Sequence, residues 1–96
     1  MFERTLPIGS VVLLKDATKR IMIIGYCKYK MGDMETIYDY AGCLYPEGFL
    51  SPDTTVLFNH EQIDKIFALG FQNDERFAFE EKLKVALDEV KPFDNE

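Results

Sequence analysis

The sequence predicts a small α+β domain, either an antiparallel sheet of about five strands or an SH3-like partly open barrel, with a C-terminal helix packed on it. Three observations carry this. Short β-branched and aromatic runs, separated by turn residues, fill about residues 10–71. A hairpin signal, Gly32-Asp33, stands between the two longest runs. After Asn73 the apolar spacing changes to the helical period.

The elements follow in order. Pro7 and Gly9 set up a lead-in turn, and VVLL at 11–14 reads as a short buried strand. After the turn KDATK comes RIMIIGYCKY at 20–29, where Ile21, Ile23, Ile24, Tyr26 and Tyr29 favour a strand. Gly25 inside it signals a bulge, a bend or close approach of another backbone. The return strand is ETIYDYAGCLY at 35–45. A Gly32-Asp33 turn sets Cys27 opposite Tyr38 and Cys43 opposite Met22, which keeps the two thiols out of disulfide reach.

PEGFLSPDT at 46–54 is a loop, and VLF at 56–58 a strand. Residues 59–69 admit two readings: a helix, or a single turn capped by Asn59 followed by a strand over KIFALGF; the second is preferred. The helix spans about 74–91, with Phe79, Leu83, Ala86, Leu87 and Val90 on one face and Asn73 or Asp74 as cap. Glu80 and Lys84 stand four apart in the favourable order, and residues 92–96 are expected to fray. The 96 residues therefore make one domain around one core.

Composition narrows the function. With 47% hydrophobic and 29% charged residues the chain is ordinary globular material. A net charge of −6 argues against a phosphate backbone as ligand, although residues 1–30 carry a net +4 and residues 31–96 a net −10. A nucleic-acid-binding small barrel, with Lys15–Lys30 as its footprint, stays as an alternative. No run approaches membrane-spanning length, and the opening MFERTLPIG lacks the pattern of a leader. The expectation is a cytoplasmic protein with two free thiols and no membrane partner.

Candidate chemistry is sparse. His60, the single histidine, can be combined with Asp39 and a cysteine into a triad or, with the Tyr cluster, into a small-ligand or enzyme site. Both cysteines sit in apolar strand patterns, where a thiol behaves as a small hydrophobe, so no catalytic residue is assigned. No zinc, calcium or phosphate-loop spacing occurs, and no cofactor or metal is expected. The distinctive feature is an aromatic set, Tyr26, Tyr29, Tyr38, Tyr40, Tyr45 and Phe49, on the hairpin and the loop after it. Such rings either fill a small core or form a platform for a protein partner.

Three stretches, LPIGSVVLLKDATKRIMIIGY, YDYAGCLYPEGF and LFNHEQIDKIFALGF, make the chain resemble a family of short bacterial proteins of unknown function. The resemblance covers about residues 6–71, with YPEG and FNHE its most specific parts. Members are encoded beside LXG toxins of the type VII secretion system of Gram-positive bacteria. The resemblance implies a non-enzymatic chaperone or adaptor that binds the N-terminal region of a neighbouring toxin before export. Homo-oligomerisation is left open.

Overall fold

A computed structural model describes residues 5–30 and 33–90, and at positions 29, 30, 33–35 and 90 the backbone alone. Five strands form one antiparallel sheet: β1 (Val11–Leu14), β2 (Ile21–Lys30), β3 (Asp33–Leu44), β4 (Val56–Phe58) and β5 (Ile63–Ala68). Their spatial order is β4-β3-β2-β1-β5, an open sheet rather than a closed barrel, followed by the helix α1 (Asp74–Val90). The last residue of the expected helix and the expected frayed tail lie outside the described residues.

The long β2–β3 hairpin is the frame. Ile21, Met22 and Ile23 stand opposite Leu44, Cys43 and Gly42, so Cys43 meets Met22 as the turn position implied. The register then slips by one between Ile23 and Gly25, and Tyr38 stands opposite Lys28 rather than Cys27. An extra residue in one strand bends it and increases its twist, which is the role Gly25 signalled. Cys27 just beyond has φ +53, an uncommon conformation for a residue with a Cβ. Asp33 pairs with Lys30, so Asp33 belongs to β3 and not to the turn; Gly32 lies outside the described residues. Cys27 and Cys43 are not joined in a disulfide.

The sheet encloses its own core. Val12, Ile21, Ile23, Tyr40 and Phe58 form the buried cluster, with Leu6, Leu14, Leu44, Val56 and Ile63 packed around it. The Tyr40 and Phe58 rings stack with centroids 5.3 Å apart. Residues before β1 extend the ladder: Gly9 N–H donates to the Ile23 carbonyl at 2.9 Å, and Ile23 N–H donates to Ser10 O at 2.9 Å. Beyond β5 the chain passes so near this segment that a Cβ on Gly70 would lie 1.8 Å from Ile8 O. Only glycine fits there.

Residues 59–68 resolve as turn then strand. A single 3-10 turn, His60–Gln62, follows Asn59, whose N–H donates to Gln62 Oε1 at 2.7 Å. The strand β5 then pairs with β1, with register shifts that leave Asp64 and Phe67 as extra residues.

The helix starts where expected: Asn73 Oδ1 accepts the Arg76 N–H at 2.9 Å. Leu83 and Leu87 are buried, but Phe79 and Ala86 on the same stripe are exposed. The reason is placement. The helix meets the sheet at the second half of β2, where Phe79 lies against Tyr26, with centroids 6.0 Å apart. Arg76 is the counterpart on the N-terminal segment, donating from Nη2 to Thr5 O at 2.7 Å and Thr5 Oγ1 at 3.1 Å. The Arg76 side chain approaches Glu80 at 4.0 Å. Among the described residues no helix is long and apolar enough to cross a membrane.

Candidate protein-binding cleft

A cleft of about 420 Å³ lies between residues 24–28, at and just beyond the bulge in β2, and α1. Leu83 lies buried at its base with half-buried Ile24 and Tyr26 beside it. Phe79, 48% exposed, and Ala86 supply the helix wall. Among the described residues its charged side chains are Lys28 and Lys82, both exposed, and no acid lines it. A volume of this size is enough for a large side chain or several small ones.

Tyr26 anchors the cleft from behind. Its hydroxyl donates to the Leu6 carbonyl, and its ring also faces Tyr40, with centroids 5.9 Å apart. Burial raises its pKa; the nearby Arg76 charge opposes that shift and Glu80 adds to it. The Arg76 guanidinium carbon lies 5.9 Å from the Tyr26 ring centre. Arg76 Nε and Nη1 are buried without a hydrogen-bond partner. The Arg76 charge faces that of Glu80, 4.0 Å away, and the two act on the Tyr26 hydroxyl in opposite directions.

Of the aromatic set, Tyr26 is in the cleft, and Tyr40 is wholly buried in the core, out of a partner's reach. Tyr38 is half-buried on β3. Tyr45 and Phe49 are exposed on the loop after β3, with Leu50 beside them. The Tyr29 side chain lies outside the described residues. The six therefore do not form one platform. Phe79, Lys28 and Lys82, which the sequence reading passed over as binding residues, join Tyr26 instead.

Asp39, Tyr40 and His60 do come together, by a chain of non-local bonds. The buried Asp39 carboxylate accepts the His60 main-chain N–H at 2.9 Å, and Asp39 N–H donates to Asn59 Oδ1 at 3.0 Å. The carboxylate thereby caps the 3-10 turn. The bond runs to the backbone of His60 and not to its ring. His60 Nδ1 lies 2.7 Å from Tyr40 Oη, which also accepts the Leu6 N–H at 3.1 Å. Burial favours the neutral ring, and we assign the tautomer protonated at Nε2, in which Nδ1 accepts the Tyr40 hydroxyl proton. Burial lowers the His60 pKa, against smaller opposing effects of Asp39 and Glu61, and raises the Tyr40 hydroxyl far above its ordinary value.

Elsewhere, Cys43 is buried in β3 and Cys27 lines the cleft. Among the described residues no group of three or more His, Cys, Asp and Glu could hold a metal ion. In the basic stretch, Lys19 pairs with Glu47 at 2.7 Å and Arg20 lies over the Phe67 ring at 4.4 Å.

A family model described as a domain of unknown function, DUF4176, matches residues 5–79. No curated protein and no solved structure matches the chain.

Proposed function

The chain belongs to the DUF4176 family of domains of unknown function, and from that premise we propose that it is a non-enzymatic protein-binding accessory factor, a cytoplasmic chaperone or adaptor for a type VII secreted LXG toxin. The observation that carries the protein-binding part is the cleft between β2 and α1. There Phe79 stands half in water above a buried Leu83, an arrangement a partner's apolar side chain would cover. Phe49 and Leu50, 59% and 60% exposed, add a second apolar contact on the loop after β3. The toxin as partner rests on the resemblance of the YPEG and FNHE stretches.

Co-expression with the N-terminal region of the neighbouring toxin, followed by sizing, tests the reading. A stoichiometric complex is expected. Phe79→Ala and Phe49→Ala, at exposed positions, should leave the thermal melt near the parent's. A central aromatic should cost about 2 kcal/mol of binding. No complex, together with toxin export unchanged in a deletion strain, would refute the role.

A further inference from the structure

We infer that the β2–α1 cleft receives an acidic segment of the partner, one that presents a large apolar side chain with a carboxylate close beside it. The inference rests on the protein-binding reading of the same cleft and adds the chemistry of what binds there.

Charge is the first argument. The chain carries 17 acidic against 11 basic residues, so its surface as a whole favours a basic partner. The cleft departs from that balance, with Lys28 and Lys82 on its wall and no acid lining it among the described residues. Salt confines the reach of surface charges to about 8 Å at physiological ionic strength, so the lining charges, Lys28 and Lys82, act most strongly on a ligand in the cleft. Behind the wall, the Arg76 guanidinium carbon lies 5.9 Å from the Tyr26 ring centre, with Nε and Nη1 buried without a hydrogen-bond partner and Glu80 4.0 Å from Nη2.

The apolar half of the ligand follows from the base and helix wall. Leu83, Ile24 and Tyr26 offer carbon surface at depth, and Phe79 projects partly into solvent. A side chain the size of Leu or Phe entering between them would remove water from Phe79 and from itself. A carboxylate one turn or two residues away would then meet Lys28 or Lys82.

Two acetylated amphipathic dodecapeptides with the same Leu and Phe positions test this, one with Glu and one with Lys on its polar face. Binding to the full chain is measured by fluorescence anisotropy at physiological salt. The Glu peptide should bind more tightly, on the order of fivefold, the scale of two exposed ion pairs. Lys28→Glu with Lys82→Glu, both at exposed positions, should reverse the preference while the melt stays unchanged. Ala86→Trp, which fills the cleft, should abolish both. Tighter binding of the Lys peptide, or a preference that ignores the double substitution, overturns the inference. So does an anionic dye such as anilinonaphthalene sulfonate binding there while neither peptide does, which would make the cleft a small-molecule site. A toxin complex insensitive to the double substitution overturns the acidic-segment inference and leaves the accessory role. Glu-peptide binding without any toxin complex leaves this inference and removes the toxin.

Discussion

Replacing Tyr40 by Phe isolates one hydroxyl in the middle of the core. The ring stack on Phe58 is kept, and no cavity larger than an oxygen opens. Two bonds are lost: the one accepted from Leu6 N–H at 3.1 Å and the one shared with His60 Nδ1 at 2.7 Å. The Leu6 N–H is left in a part-buried place without its acceptor, whereas the half-exposed His60 ring can turn to water. An unsatisfied donor at about 1–3 kcal/mol plus a small term for the ring gives roughly 2 kcal/mol. For a domain of this size that lowers Tm by roughly 10 °C. A second readout comes from pH. The folded His60 pKa lies below its ordinary value of 6.5, so the unfolded chain takes up the proton first as pH falls. Stability is therefore full above about pH 6.5 and declines as pH drops through the window down to the folded pKa. With a single histidine in the chain, side-chain titration in that window belongs to this residue. Without the Tyr40 proton the neutral ring loses a stabilising bond, its pKa moves back toward the ordinary value, and the slope flattens. Urea melts of parent and variant at several pH values between about 5 and 7 measure both effects. A variant as stable as the parent with the same slope, or a parent that loses stability as pH rises through the window, would refute the assigned bond.

Gly70→Ala should cost upwards of about 2 kcal/mol, because a Cβ 1.8 Å from Ile8 O forces two backbone segments apart; a thermal melt within a degree of the parent's would contradict the crossing. Leu87, 1% exposed, should lose about 2–4 kcal/mol on truncation to Ala, and an unchanged denaturant midpoint would mean the helix carries no core. Thiol titration of the native protein should find Cys27, half-buried in the cleft, reacting well before the buried Cys43. Cys43 should need denaturant; equal rates would contradict the burial.

Local signals in the chain were readable where the deciding interaction was itself local. The Asn59 turn, the Asn73 cap and the start of α1 are set by residues within three or four positions. The hairpin register was readable from Ile21 to Ile23 and lost at the bulge, because Gly25 announces an irregularity without saying which strand gains a residue. The Gly32-Asp33 turn did not hold for Asp33 because Asp33 pairs with Lys30, and such pairing is not written in the turn residues themselves. The aromatic set misled in part. Tyr40 and Tyr45 differ by five positions in one hydrophobic stretch, yet one is core and the other solvent, since β3 ends at Leu44. Arg76 gave no signal at all. Its burial depends on Thr5, 71 residues away, and a charged residue in a first helical turn reads as surface.

The outer strand β5 carries a further consequence, in how the protein behaves when crowded. It is an edge, and its end with the residues after it, Ile66 to Phe71, is uncharged and apolar, the profile of a segment that templates cross-β assembly. The two extra residues against β1 interrupt the straight row of outward amide groups, and Arg20 over Phe67 places a guanidinium on that ring. An irregular edge guarded by a cation cannot stack in register with copies of itself without first ironing out both bulges. The hazard is thus held in check by backbone geometry, and substitutions that straighten β5 or remove Arg20 should raise the tendency of this domain to seed fibrils.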